Sequence, residues 1–314
     1  VLVAAVMNGF LEAWTRRLQE AKGPDQTKHQ IKRVAEEGSD IAAALVTMWI
    51  RALDYMPPVH MAFGDALSAA ITADSEVRPD DSRFELRRRM LDSFAAYDIR
   101  PAAMRSGVPG AWPYEQKKFR YERVRFDSMR TDKDEVFRFI WDNFEDLELA
   151  DEAYTEVLSV RPCMRIGIDG FVLRETVAEY YQVARLTEAE LREQKIRLPK
   201  AYVQELAKGR ADRKKTRGEK LDEADSTGDA DDPDTDPVTP VYGGGVLIFD
   251  EWGKLKFHVY NRVFSKEQTS RLQSLWESGR LSAGTDGGRF ARTRLADLHR
   301  QRAVGARNNP KEGW

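Results

Sequence analysis

VLSVRPCMRIGIDGFVLRETVAEYYQVARL, residues 157–186, reads as two strands folded back on one another. Asp169-Gly170 lies between the two runs, a dipeptide suited to the positive φ angles of a tight hairpin turn. Pro162 cannot donate to a ladder, which places the first strand at an edge or a bulge. A second stretch of the same kind, GGGVLIFDEWGKLKFHVYNRV at 243–263, alternates Leu247, Phe249, Leu255, Phe257 and Val259 toward a core, with Gly253 easing its turn. A lone two-stranded hairpin is marginal in water. The two hairpins are therefore expected to pair, making the residues between them an insertion into one α+β domain.

Those intervening residues begin with a polar helical stretch from about Thr187 to Ala207. Residues 208–240 follow, first basic (KGRADRKKTRGEK), then acidic and rich in Pro (DEADSTGDADDPDTDPVTP), with almost nothing apolar to bury. This composition predicts a disordered linker. Asp232, Asp234 and Asp236 alternate as in a calcium loop, but such a loop needs Gly at its sixth and Glu at its twelfth position, where this chain has Pro237 and Gly243. A solvated linker is the better reading. Gly243 to Gly245 lack the Lys-Ser/Thr and the following helix of a phosphate cradle, and read as a hinge at a strand start. Upstream, KKFRYERVRFD at 117–127 sets Phe119 and Tyr121, then Val124 and Phe126, at strand spacing with a bulge between the pairs. A helix is expected from about Asp132 to Phe144, another from Lys266 to Trp276, and the basic tail 279–314 reads as weakly ordered.

The first hundred residues carry helical periodicity instead. One helix, from Val1 to about Ala21, holds Val3, Val6, Met7, Phe10, Leu11, Trp14 and Leu18 and stops near Gly23-Pro24. It is apolar nearly all round, so it is expected to be packed on more than one side. A second carries Ile41, Leu45, Met48, Trp49, Ala52 and Leu53 and ends at Pro57-Pro58, which can neither donate to a helix nor leave the preceding residue helical. A third carries Phe63, Leu67, Ala70 and Ile71. A fourth begins after Pro79, with Asp80, Asp81 and Ser82 as candidate caps, and presents Leu86, Met90, Leu91, Phe94 and Tyr97 to a core. The expected fold class is α+β: an antiparallel helical bundle over 1–110, then a domain over 111–278 built on an antiparallel sheet of hairpins.

The succession WIRALDYMPPVHMAFGDALSAAITADSEVRPDDSRFELRRRMLDSFAAYDI, residues 49–99, resembles the closing helices of the catalytic domain of thermolysin-like zinc metallopeptidases. There a helix ending in an R-A-L-type segment, a turn, an F-x-x-L/A helix and a final F-x-A-x-x-V/I helix follow in that order. It is similar also to a group of uncharacterised bacterial proteins with a metallopeptidase-like N-terminal half. The resemblance covers about the first third of the chain. It implies a zinc hydrolase acting on a peptide or protein substrate, with this chain a fragment that opens inside a helix. The zinc-bearing N-terminal half would be its partner.

Such enzymes hold zinc with two His four apart on one helix face and a third ligand from a following helix, with an intervening Glu as general base. Only His29, His60, His258 and His299 are present, none is followed by Glu and no two are four apart. No catalytic, cofactor-binding or metal-ligating residue of the family can be carried onto this sequence. The chain alone is expected to be inactive, with zinc belonging to the intact protein. A scaffold or interaction module descended from such an enzyme is the alternative.

Composition narrows the rest. The 50 Lys and Arg nearly balance 52 Asp and Glu, so no global field draws in nucleic acid or an anionic membrane. No apolar run approaches the roughly 20 residues that span a bilayer. The single Cys163 excludes an internal disulfide, which favours a cytoplasmic setting, and reads as a small buried thiol in a strand. Nucleic acid binding has its best case in Lys117, Lys118, Arg120, Arg123 and Arg125 interleaved with Phe119, Tyr121 and Phe126, supported by Arg289, Arg292 and Arg294 in the tail. A strand with one aromatic face buried and one charged face solvated outweighs it. Arg87, Arg88 and Arg89 read likewise as a solvated helix flank. His60 beside Asp65, and His258 beside Lys256 and Tyr260, are candidate polar site residues, set against the commoner role of a locally hydrogen-bonded His.

Overall fold

In a computed structural model, the structure describes residues 1–20, 31–166, 170, 172–218, 238–279 and 281. The fold is α+β, with helices first and a four-stranded antiparallel sheet after them. By internal contacts the chain divides into two compact units. The first comprises Val1–Glu148, Glu156–Tyr181 and Gly244–Tyr260, and the second Leu149–Thr155, Gln182–Gly243 and Asn261–Trp314. The strands contribute residues to both.

In the first unit, α1 (Leu2–Glu20) packs on α4 (Leu86–Ala95) and on α2 (Ile31–Ala52), and α2 packs on α3 (Phe63–Val77). The face α1 turns inward is its small one: Ala5, Gly9 and Ala13, spaced four apart, are buried. A Cβ on Gly9 would meet Met90 Cε at 2.5 Å, and Ser93 Oγ donates to Ala5 O at 2.7 Å, so α1 and α4 approach to backbone distance. Leu2, Val6, Phe10 and Trp14 flank this stripe, and the Trp14 indole lies over Gly38 of α2 and donates to Val34 O at 3.1 Å. Val3, Met7 and Leu11 remain 75, 45 and 45% exposed. The helix is thus buried on one side and open on another.

From Ala66 to Val77, α3 is buried on every side. Its polar residues are satisfied by the chain that wraps it: Ala103 N–H donates to Ser68 Oγ and Trp112 N–H to Thr72 Oγ. The cap that was expected ahead of α4 is Asp81, whose carboxylate accepts from the N–H groups of Leu86 and Arg87 at 2.9 Å. A single 3-10 turn, Leu53–Tyr55, closes α2 ahead of the two prolines.

The sheet order is β1 (Tyr154–Ile166), β2 (Val172–Leu186), β3 (Thr239–Phe249), β4 (Leu255–Asn261). The two hairpins therefore do pair, through β2 and β3, and Pro162 lies on an edge strand. The turn residues 167–169 and 171 lie outside the described residues, while Gly170 has φ +81°. One face of the sheet in the first unit, with Val177, Val246, Ile248, Phe257 and Val259, joins the core of α1–α4. Phe249 on the other face meets Phe139 edge-on at 5.1 Å. Both faces are covered, so β3 is buried almost throughout, and its two sets of side chains enter different cores instead of one.

Three expectations need correction. Residues 117–125 form no strand among the described residues: they are irregular chain leading into α5 (Phe126–Met129), ahead of α6 (Lys133–Asp142). Phe119 and Tyr121 do turn to one side, but against Phe139, and Tyr121 Oη accepts from Leu255 N–H at 2.9 Å. Aromatic alternation here serves helix-to-sheet packing. The stretch 187–207 is two helices, α7 (Glu188–Glu193) and α8 (Lys200–Gly218), because Leu198-Pro199 interrupts it. The backbone of α8 continues to Gly218 through good helix formers, into the stretch expected to begin the linker. Residues 219–237, with the Asp-rich run, lie outside the described residues. Gly243 to Gly245 are no hinge. They sit inside β3, where a Cβ at Gly244 (φ +152°) would lie 2.5 Å from Tyr180 O, so neighbouring backbone demands glycine.

The second unit has its own core, in which Leu186, Leu191, Ile196, Tyr202, Val241 and Leu272 meet. Thr187 opens α7 with a capping box, and α9 (Gln268–Glu277) is tied down by Gln268, whose buried amide donates to Tyr242 O and Val263 O.

Candidate functional site

Ten polar and charged side chains of the first unit converge in one cluster, buried at Tyr55, Glu76, Arg165 and Glu175 and partly open elsewhere. Asp54 and Tyr55 come from the turn after α2, Glu76 from the last turn of α3, and Arg105 and Tyr114 from the wrapping chain. Arg161 and Arg165 stand on β1, Glu175 and Glu179 on β2, and Lys256 on β4. Strand alternation puts Arg161 and Arg165 on one face of β1, and Glu175 and Glu179 on one face of β2. A hairpin centred on Gly170 then sets Arg165 opposite Glu175 and Arg161 opposite Glu179.

The Glu175 side chain is wholly buried, and each oxygen is engaged. Oε2 accepts from Tyr55 Oη at 2.8 Å and pairs with Arg165, and Oε1 accepts from Lys256 Nζ at 3.0 Å. Glu76 is held in the same way: Oε2 by Lys256 at 2.5 Å, and Oε1 by Arg105 at 2.9 Å and Tyr114 at 2.8 Å. Asp54 receives Arg165 at 2.5 Å and Arg161 at 2.9 Å, and Arg161 bridges on to Glu179 at 2.8 Å. Four acids thus balance four bases. Burial alone would raise the Glu76 pKa, but Lys256, Tyr114 and Arg105 outweigh it and hold the carboxyl below its ordinary range. Burial likewise opposes the Lys256 ammonium, and Glu175 and Glu76 reverse that and raise its pKa. Tyr55 is raised well above an ordinary phenol, first by burial and then by Glu175, so it stays a donor.

In this cluster each carboxylate is already met by cations and donors. Its chemistry is cohesion, fastening the turn after α2, the end of α3 and three strands at one point. Cys163 lies beside it on β1, half-buried. Burial, then Asp54, raise the thiol pKa, and its nearest acceptor, Arg161 O, is 3.9 Å from Sγ. A raised pKa disfavours the thiolate form.

The remaining candidates are dispersed. His258 Nε2 lies 2.7 Å from Tyr180 Oη, and its ring stacks on Tyr260 at 4.1 Å. Burial, with Lys117 adding to it, drives the imidazole down to about 3, so a neutral ring shares this hydrogen bond with the Tyr180 hydroxyl. His60 occupies a turn at φ +56°, and Asp65 beside it accepts from Ala62 N–H at the start of α3. His29 and His299 lie outside the described residues, as do Arg289, Arg292 and Arg294. Among the described residues no group of three His, Cys, Asp or Glu stands close enough to share a metal ion. Those residues therefore do not fit a zinc ion. No described helix is long and apolar enough to cross a membrane.

In the basic segment, Lys117 is paired with Glu148 at 2.8 Å and Arg123 with Asp142 at 3.0 Å. The arginine flank of α4 is solvated only in part. Arg88 is exposed, but Arg87 is half-buried, bridging Asp74 and the carbonyls of Arg78 and Pro79. Its position on the α3 side of α4 decides this.

Comparison with protein-family models, with curated proteins and with solved structures returned no match.

Proposed function

We propose that the α1–α4 layer of the first unit is a docking wall of a thermolysin-like metallopeptidase domain, contributing shape and cohesion to a peptide-hydrolysing domain whose zinc-bearing half belongs to the same protein. One observation carries this reading: the outward stripe of Val3, Met7 and Leu11 on α1. Residues four apart on a helix form a continuous ridge. Burying side chains of that size is worth about 1.5–3 kcal/mol each, so a helix that leaves three of them in water is built to be covered. On α2, Val46 and Ile50, continued by Leu53 of the 3-10 turn, form a second exposed row at the same kind of spacing. The order of helices across residues 49–99 supports the choice of lineage, and the saturated charged cluster suits a part that holds geometry while reactive groups lie elsewhere.

The test has two arms. The purified chain should bind a hydrophobic dye or self-associate at micromolar concentration, and Met7→Glu with Leu11→Glu should reduce this without lowering the unfolding midpoint. A monomeric chain that takes up no dye refutes the docking face. The coding sequence adjoining the Val1 codon should specify HExxH and a downstream Glu. An adjoining sequence without them refutes the metallopeptidase lineage and leaves a scaffold, the same face serving a different partner.

A further inference from the structure

Arg51, in the last turn of α2, carries a guanidinium that the acids packed around it leave unpaired among the described residues. Its Nη2 donates to Ile166 O at 3.2 Å, while Nη1 is buried with no hydrogen-bond partner. The acids nearby are already committed. Asp74 gives Oδ1 to Arg78 and Oδ2 to Arg87 at 2.9 Å, and Asp40 pairs with Arg83 at 2.6 Å. Burial is the largest influence on the Arg51 guanidinium, followed by repulsion from Arg165 and Arg78, and together they lower its pKa despite Asp74. An unpaired buried N–H on a charged group is costly, and the shortfall has a definite sign: this place lacks an anion.

The same guanidinium lines a cleft of about 430 Å³ between α2, α3 and the chain leading to α4. Ala44, Met48, Ala73, Val77 and Phe84 give it apolar walls, and the two alanines leave the room that larger residues would fill. Arg78 and Arg83 line it too, together with the carboxylates they pair with, Asp74 and Asp40. A cleft of this size with apolar walls and one cation left over from its ion pairs can hold a small molecule.

We propose that this cleft binds a small monocarboxylate with an apolar body, the carboxylate taken by Arg51 and the body lodged against Met48, Val77 and Phe84. One surplus cation matches one negative charge. A phosphate dianion would bring two charges to a single uncommitted donor, and the walls would offer the rest of it nothing. A guanidinium can meet a carboxylate through two parallel N–H groups, which would satisfy the Nη1 donor at the same time. Two sources share this chemistry, the free C-terminus of a peptide ending in an aliphatic residue and a short fatty acid. The inference does not rest on the proposed docking function, since the cleft and the α1 stripe involve different residues.

Calorimetric titration of the intact chain with N-acetyl-leucine and with hexanoate, each beside its neutral amide, tests it. At least one acid should bind, about tenfold or more tighter than its amide, as expected for a charge-assisted bond. Preference between the two acids assigns the source. Arg51→Met should remove the difference between acid and amide. Because that variant alters a partly buried charge, Ala43→Trp provides a second arm at the exposed rim of the cleft, and it should block binding while the circular dichroism stays that of the parent. No binding of either acid at millimolar concentration overturns the proposal. So does equal binding of acid and amide, binding unaffected by both variants, or inorganic sulfate displacing the acid at equal concentration.

Discussion

Replacing Glu175 by Gln changes one charge in the buried cluster and almost nothing of its shape. The parent cluster balances Asp54, Glu76, Glu175 and Glu179 against Arg105, Arg161, Arg165 and Lys256. In Glu175→Gln one positive charge is left over. The amide oxygen can still accept from Tyr55 or Arg165, but the amide NH2 replaces an acceptor with a donor facing a cation. Removing one partner of a buried ion pair costs about 3–5 kcal/mol, because the charge left behind is neither hydrated nor matched. Arg165 keeps Asp54 and Lys256 keeps Glu76, which sets the expectation at the lower end, about 3 kcal/mol. Adding Lys256→Met restores the balance, and Glu76 still holds Arg105 and Tyr114. The double variant should therefore be more stable than the sum of the single effects by about 1–3 kcal/mol. Urea unfolding measures this, followed both by tryptophan fluorescence and by near-ultraviolet dichroism, since two compact units can give two transitions. A Glu175→Gln cost under about 1 kcal/mol, or single effects that add within about 0.5 kcal/mol, refutes the view that these groups act as one body.

His258 makes stability depend on acid. Its folded pKa of about 3 lies below the unfolded value of 6.5, so the unfolded chain takes up the proton first, and stability is lost as pH falls from about 6.5 toward 3. At pH 5 the loss amounts to about 2 kcal/mol, and His258→Gln, which keeps an acceptor for Tyr180, should flatten that part of a pH-stability curve. An unchanged slope would mean that other groups produce it. Gly9→Leu should cost about 1–3 kcal/mol, because the new side chain enters the space of Met90, whereas the exposed Val3→Leu should be neutral within about 0.5 kcal/mol. Comparable denaturation midpoints for the two would disprove the close α1–α4 contact.

Much of the architecture was legible because it follows from periodicity and punctuation. Pro57-Pro58 ends α2, Asp81 caps α4, and the Asp169-Gly170 turn and the alternating run after Val246 locate the hairpins, which pair because neither can stand alone. What misled was alternation of aromatic residues between 117 and 126. Phe119 and Tyr121 share a face in irregular chain as readily as in a strand, since only a partner strand with its ladder distinguishes them. The inner face of α1 was also missed, since large side chains draw attention while Ala5, Gly9 and Ala13 form the contact. Small residues four apart permit backbone approach, and the large ones then divide between the flanks and the outside.

The charged cluster was partly within reach of the sequence. Once a hairpin centred at Gly170 is accepted, Arg161 and Arg165 on one strand must face Glu179 and Glu175 on the other, because residues equidistant from the turn pair and every second residue shares a face. Those two arginines and two glutamates could have been named as cross-strand pairs. That they are buried could not, for burial depends on what covers that face, and the cover is supplied by Asp54, Tyr55 and Glu76 from helices about a hundred residues earlier. Arg51 lies further still from what sequence reveals. It sits three residues before Asp54, in the last turn of α2, and its distinction is negative: Asp74 is claimed by Arg78 and Arg87, and Asp40 by Arg83. A count of charges along the chain shows balance, and only the assignment of the neighbouring acids to their bases leaves the Arg51 guanidinium over. A net charge near zero therefore leaves open whether this chain binds a charged ligand, because recognition depends on the single pairing that the fold leaves incomplete.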